Sequence, residues 1–188
     1  IPGVLAVALI VLFITADGPA PVMKTKFSWS LHGFDARFVG FIVVVGLFSL
    51  GNSSNAFLIL KAEHAGISPA WISGVYLAFN ATYVLFSIPG GILADRIGMR
   101  PVIAGSFVLF ALVYAGFALA DTPWPIAGLF VLYGVYMGFT EGVQRAYLAT
   151  LVPSERKATG FGLYHMVVGI AILPASLIAG FLWDHIGP

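Results

Sequence analysis

The residues best suited to chemistry lie within one long apolar segment of the chain, at residues 124–150. Glu141 and Arg145 stand four residues apart with the acid first, which is the favoured order for an ion pair on a helix. Inside a membrane, ionisable side chains are expensive and mark a functional site by default. Glu141 could therefore take up and release a proton while Arg145 changes partners, and a purely structural ion pair is the alternative. His165 is the third candidate for proton coupling, because imidazole suits proton relay near neutral pH, and hydrogen bonding within a bundle is its alternative role.

Neutral polar side chains recur inside the apolar segments at helical spacing. Four of them follow Gly51 in succession, which suits either an unwound segment beside a cavity or small polar residues that contact other helices. Further along the chain, polar and aromatic residues recur at steps of three and four and so share one helical face. Such faces predict a water-filled pathway, with ordinary packing between helices as the alternative. The candidates for this substrate pathway are Asn52, Asn55, Tyr76, Asn80, Tyr83, Tyr133, Glu141 and Gln144.

Several kinds of chemistry find no support in the sequence. The chain has no cysteine, and its four histidines are scattered without the spacing of metal ligands. It carries no nucleophile motif and no glycine-rich loop for phosphate. We therefore expect no metal site, no cofactor and no enzymatic activity, and we expect no nucleic-acid partner.

Composition identifies the environment in which these residues work. Of 188 residues, 60% are hydrophobic and only 9% are charged, whereas soluble domains are about a quarter charged. Mean hydropathy is +0.99, and the apolar residues form blocks long enough to span a bilayer. Backbone groups in lipid must pair internally, so the spans are predicted to be helical. This pattern predicts an all-α, multi-pass helical bundle in the plasma (inner) membrane, with the lipid bilayer as a partner.

The order of the segments predicts five full transmembrane helices and one partial helix. A short apolar run at residues 1–14 is the partial helix, and a polar stretch at 15–37 is a connector. The full spans are expected at residues 38–60, 69–93, 101–120, 124–150 and 158–183. Seven Lys and Arg residues fall on alternate loops against Lys61 alone on the other side, which places the connector in the cytoplasm.

A charged interruption between two spans is the most distinctive motif. Residues 90–100 read GGILADRIGMR, and a near copy, AGFLWDHIG, stands at 179–187. The two copies close helices of opposite direction, which predicts inverted three-helix repeats unless the similarity is chance. The glycine pair allows close helix approach, and Gly98 permits a positive φ in a tight turn. Asp95, placed after the helix end, is expected to pair with a facing helix N-terminus, Arg96 or Arg100.

The motif Gly91-x-Leu93-Ala94-Asp95-Arg96-x-Gly98-x-Arg100 resembles the signature cytoplasmic loop of the major facilitator superfamily. Met99 departs from that pattern, because a basic residue is common at its position. The layout resembles the end of helix 6, the central loop and helices 7 to 11. The resemblance therefore implies that residues 38–188 form an incomplete C-terminal six-helix domain whose partner is the missing N-terminal half. It also implies a cytoplasmic gating motif of Gly91, Asp95, Arg96, Gly98 and Arg100.

The resemblance implies secondary active transport of a small solute by alternating access, coupled to an ion or to protons. A non-transporting membrane scaffold or sensor on the same fold is the alternative. A sugar, a drug-like amphiphile or a small organic anion would suit the polar residues within the spans, and the direction of transport stays open.

Overall fold

The computed structural model describes residues 2–13, 33–52 and 54–185. The chain divides into two units, residues 1–32 and residues 33–188. In the first unit the described part is one helix, α1 (Pro2–Phe13), which covers the predicted partial helix. Residues 15–32, which are most of the predicted connector, lie outside the described residues, as do residues 1, 14, 53 and 186–188. The division into 1–14, 15–37 and 38–188 therefore stays a prediction.

The second unit is helical throughout its described length apart from short turns. Its helices are α2 (Ala36–Gly51), α3 (Asn55–His64), α4 (Pro69–Ile97), α5 (Met99–Leu119), α6 (Pro123–Leu151) and α7 (Lys157–His185), with a 3-10 turn at Ser154–Arg156. Five segments of this unit are long and apolar enough to cross a membrane: Ala36–His64, Pro69–Ile97, Met99–Leu119, Pro123–Leu151 and Ser154–His185. The all-α bundle and its five full spans are thus confirmed.

The first of these spans is interrupted where the sequence carries its run of polar residues. The helix α2 ends at Gly51 and α3 begins at Asn55, so the single span expected at 38–60 is two helices. Side chains such as Asn and Ser compete with helical hydrogen bonds and favour helix ends. Ser54 caps α3 by accepting a hydrogen bond from the Ala56 backbone N–H at 3.3 Å. The unwound segment is therefore the interpretation that the helix boundaries support.

Glycines allow α4 and α6 to pack backbone against backbone. A Cβ atom added at Gly138 would lie 2.8 Å from the Tyr83 carbonyl oxygen, and one added at Gly90 would lie 2.9 Å from Cα of Phe139. Contacts this close require a residue without a side chain. Gly91 differs, because no atom of the described residues lies within 4 Å of its added Cβ, so the expected close approach is observed at Gly90 and not, in this part of the chain, at Gly91.

The other helices complete two apolar clusters around the α4–α6 pair. One contains Ile126 and Phe130 of α6 with Phe110 and Val113 of α5. The other includes Leu148 of α6, where α2 and α7 also pack against each other. The polar residues discussed next lie at the contacts between α2, α6 and α7.

Candidate functional site

A cavity of about 240 Å³ lies between α2, α6 and α7. It brings together five residues that the sequence singled out, namely Asn52, Glu141, Gln144, Arg145 and His165. The other residues that line it include Phe48, Tyr136, Met137, Thr140 and Tyr164. Tyr136, Met137 and Thr140 belong to the polar and aromatic pattern of residues 124–150 and Tyr164 precedes His165, but none of them was a pathway candidate, and Phe48 gave no signal. The sequence pattern of these residues is ambiguous, because apolar and aromatic residues at helical spacing are as common in an ordinary core as beside a cavity.

Glu141 is the only carboxylate among the described residues that line this cavity, and both of its oxygens are engaged. Oε1 accepts a hydrogen bond from the Arg145 guanidinium, and Oε2 accepts one from the Tyr83 hydroxyl. The Glu141 side chain is 32% exposed and that of Arg145 is 52% exposed. The predicted pairing of Glu141 with Arg145 is therefore observed, and Tyr83 adds a link from α4 to α6.

Gln144 joins α6 to α7 one turn along from Glu141. Its Oε1 atom accepts a hydrogen bond from the Tyr164 hydroxyl at 2.8 Å, and both residues are buried. His165 follows on α7, is exposed at the cavity, and packs edge-on to the Tyr164 ring with centroids 5.1 Å apart. The helix α7 thus presents a titratable ring close to the Glu141–Arg145 pair.

Two tyrosines hold the amides on either side of the helix break. The Tyr133 hydroxyl donates to Asn55 Oδ1 at 3.0 Å, and the Tyr114 hydroxyl donates to Asn52 Oδ1 at 3.4 Å. Tyr133 is only 2% exposed and does not line the cavity, and neither does Asn55. Tyr114 could not be identified from the sequence, because a single tyrosine on an otherwise apolar segment gives no periodic pattern.

Replacement of Tyr133 by Phe is expected to lower stability, because the partly buried Asn55 amide loses its hydrogen bond. The expected change in unfolding free energy is about 1–2 kcal/mol. Thermal unfolding of the protein in detergent would measure it. Tyr76→Phe is the matched control, since the Tyr76 hydroxyl makes no hydrogen bond to any described residue. An equal effect of both replacements would contradict the assignment.

The predicted polar face of α4 reaches the cavity residues at one position only. Asn80 donates from Nδ2 to the Tyr76 carbonyl oxygen of its own helix at 2.7 Å. The Tyr76 ring packs beside that of Phe79, with centroids 5.2 Å apart. Of these three residues only Tyr83 contacts a cavity residue, Glu141, and none of the three lines the cavity itself.

The charged motif has a different geometry from the one expected. The helix α4 continues to Ile97, so Asp95 and Arg96 lie in its last turn, and the expected position of Asp95 after the helix end is wrong. Gly98 has φ +95° and its N–H bonds the Ala94 carbonyl at 2.9 Å, which confirms the positive φ expected there. The helix α4 extends because Ala94, Asp95 and Arg96 continue its backbone hydrogen bonding. The helix ends only where Gly98 takes a positive φ.

Arg100 contacts an aromatic residue instead of the expected acid. Its Nε donates to the Tyr147 hydroxyl at 2.7 Å, and its guanidinium lies 5.6 Å from the centre of that ring. Within the described residues Asp95 forms no ion pair, so its expected pairing with Arg96 or Arg100 is not observed. The motif therefore joins α5 to α6 through Arg100 and leaves Asp95 exposed.

The described residues contain no group of three His, Asp or Glu side chains that could hold a metal ion. What the cavity offers chemically is a carboxylate that can exchange a proton, an arginine that can exchange partners, amides, and aromatic walls.

Comparison with known proteins gives this arrangement a context. The sequence profile described as Major Facilitator Superfamily matches residues 38–188. An uncharacterized MFS-type transporter of Methanocaldococcus jannaschii is 35% identical over 93% of this chain and 46% of its own length. No solved structure shows a significant match.

Two further relatives carry names that describe resistance to drugs. A multi-drug resistance efflux pump of Streptococcus pneumoniae is 27% identical over 70% of this chain and 34% of its own length. The class C tetracycline resistance protein of Escherichia coli is 31% identical over 58% of this chain and 28% of its own length. The chain thus spans less than half the length of each of these relatives.

The family is one of membrane transporters that move small solutes, which confirms the expectation that the chain is not an enzyme. Five apolar helices and relatives from bacteria and archaea identify an integral, multi-pass protein of the plasma membrane. On the profile match over most of its length and the similarity to the archaeal transporter, the chain belongs to the Major Facilitator Superfamily.

Proposed function

We propose that the complete protein is a secondary active transporter that moves a small solute by alternating access, with proton coupling at Glu141. The observation that carries the proposal is the position of Glu141 in the cavity, where it is held by Tyr83 of α4 and by Arg145 of its own helix. The solute and the lipid bilayer are its partners, and the missing N-terminal half would supply the opposite wall of the pathway.

Protonation of Glu141 changes both of its contacts at once. Oε1 loses the charge that attracts Arg145, and the hydroxyl of Tyr83 loses a charged acceptor, which is the stronger kind. The released arginine is half exposed and free to turn toward the cavity. One proton therefore alters a contact between helices and the charge presented to the solute, which is what coupling requires. His165, which lines the same cavity from α7, is the proposed proton relay to this pair.

The charged motif has a separate part in this proposal. Asp95, Arg96 and Arg100 lie at the junction of α4 and α5, away from the cavity lining. Gly91 leaves open space beside α4, and Gly98 sets the angle at which α5 begins. We assign these five residues to gating and to contact with the missing half, with Arg100 anchored on Tyr147.

One relative is named a multi-drug resistance efflux pump and another a tetracycline resistance protein, which supports solute transport by the complete protein. Either direction of transport fits the proposal. A scaffold or sensor without transport would not need a carboxylate whose two partners both change on protonation.

The proposal is tested with the complete protein reconstituted in vesicles that contain a pH-sensitive dye. A panel of sugars, organic anions and organic cations is added at equal concentration, and solute-dependent proton movement is recorded. Glu141→Gln is expected to abolish it, because the amide cannot exchange a proton. Glu155→Gln, at an exposed carboxylate in the α6–α7 turn, is the matched control and should retain it. Undiminished proton movement in the Glu141→Gln variant would contradict the proposal. If the unaltered protein transports none of the solutes, the scaffold alternative would be favoured.

A further inference from the structure

We infer that the cavity takes an organic anion, in which a carboxylate or similar acceptor group is attached to an apolar ring system. The inference rests on the proposed function and names the class of solute for the same site. It follows from which hydrogen-bonding atoms at the cavity are already used and which are left.

The amide and carboxylate oxygens that face the cavity are engaged within the protein. Gln144 Oε1 accepts from Tyr164 at 2.8 Å, and Asn52 Oδ1 accepts from Tyr114 at 3.4 Å. Both oxygens of Glu141 accept as well. A solute that brings mainly donors, such as an ammonium group, would have to displace these existing bonds.

The nitrogens present the opposite situation. Neither the Gln144 nor the Asn52 amide nitrogen donates to any described residue. No buried side-chain nitrogen or oxygen of the described residues lacks a partner, so these two nitrogens must reach accessible space. The Arg145 guanidinium has five N–H donors, and its only bond to a described residue is through Nη2. Donors are therefore in excess, and the solute is expected to supply acceptors.

Apolar walls define the rest of the solute. Val45 and Phe48 of α2, Met137 of α6 and Val168 of α7 line the cavity beside the polar groups. The Phe48 ring is fixed by stacking on Phe107, with centroids 3.8 Å apart. A sugar brings about as many donors as acceptors and little apolar surface, so it fits this lining poorly. An aromatic carboxylate supplies acceptors for the N–H donors and an apolar ring for the apolar walls.

This class of solute also defines the sense of coupling. When a proton binds Glu141 Oε1, Arg145 leaves that oxygen and its positive charge is available to the solute carboxylate. The proton and the anion then occupy the cavity together, and the net charge added by the two is zero. Loss of the proton returns Arg145 to Glu141 and expels the anion, so proton and solute travel in the same direction.

The experiment measures the binding of three probes of nearly the same shape to the purified complete protein in lipid nanodiscs. The probes are 2-naphthoate, 2-naphthamide and 2-naphthylmethylamine, and equilibrium dialysis measures their binding. We expect 2-naphthoate to bind at least about tenfold more tightly than the other two, since a hydrogen bond to a charged group contributes more than a neutral one. Its binding should strengthen as the pH falls, because protonation of Glu141 frees Arg145.

Variants separate a direct role of Arg145 from a structural one. Arg145→Gln should weaken 2-naphthoate binding about tenfold or more, and Arg145→Lys should retain much of it because the charge remains. Glu141→Gln should bind 2-naphthoate with no loss and without dependence on pH. Arg37→Gln, at an arginine whose side chain is 73% exposed, is the matched control and should bind like the unaltered protein.

The outcomes distinguish this inference from the function on which it rests. Preference for the amine or the amide, or unchanged 2-naphthoate binding in a folded Arg145→Gln protein, would overturn the inference. If Glu141→Gln still abolishes solute-dependent proton movement in that case, the proposed function stands and only the solute class is wrong.

Discussion

Replacement of Gly138 by Val is expected to destabilise the bundle severely. Its Cβ would lie 2.8 Å from the Tyr83 carbonyl oxygen and 2.9 Å from the Phe86 carbonyl carbon, and neither backbone atom can rotate away. The helices α4 and α6 would have to separate along their contact. We expect a loss of about 3 kcal/mol or more in unfolding free energy, at the upper end of the range for overpacking.

Gly142 provides a control one turn further along the same helix. None of the residues that the structure describes has an atom within 4 Å of the Cβ that would be added there, and Gly142 is exposed. Gly142→Val therefore makes the same change in composition and helix propensity without a clash. The Gly138→Val and Gly142→Val variants are compared by thermal unfolding in detergent, measured as the fraction of protein that stays monodisperse. Similar unfolding temperatures for both variants would show that the close contact between α4 and α6 does not determine stability.

The second large effect is expected from removing one partner of the Glu141–Arg145 pair. Arg145→Gln leaves the Glu141 carboxylate without its counter-charge in a partly buried position. An isolated charge of this kind is more costly than a neutral pair. We expect destabilisation of about 1–3 kcal/mol, less than for a fully buried pair because both side chains are partly exposed. The double variant Glu141→Gln/Arg145→Gln removes both charges and should recover most of that loss.

Activity of the double variant separates the two roles that the pair could have. If the pair couples protons to solute, the double variant should fold and still show no solute-dependent proton movement. If the pair is only structural, restored stability should be accompanied by restored transport. Unfolding temperature and proton movement in vesicles are measured on the same preparations, so a folding defect is not mistaken for a coupling defect.

Local features were predictable from the sequence because they depend on neighbours along the chain. The five spans follow from block hydrophobicity, and the pairing of Glu141 with Arg145 follows from one helical turn. Gly98 was expected at a positive φ because a glycine permits that conformation in the tight turn between two spans. In each case the physical cause acts over a few neighbouring residues, so it can be recognised from a single sequence.

Contacts between distant segments were not predictable in the same way. Tyr83 and Glu141 are 58 residues apart, and both were marked as candidates without any sign that they touch. Tyr133 and Asn55 are 78 residues apart, and their hydrogen bond removes both from the cavity lining. Which face of a helix meets which neighbour depends on packing, and every face here is apolar enough to be buried or exposed to lipid. The sequence therefore identified the polar residues better than their partners.

The break between α2 and α3 has a consequence for hydration. A helix leaves its last carbonyl groups and its first N–H groups without internal partners, and the break places both kinds of end inside one span. The Ser49 carbonyl is satisfied by the Asn52 N–H at 3.2 Å, and Ser54 caps one N–H of α3. Lipid offers nothing to the remaining groups. Any of these groups that finds no partner within the protein needs water, so the interruption favours hydration of the span beside Asn52 and of the cavity that Asn52 lines.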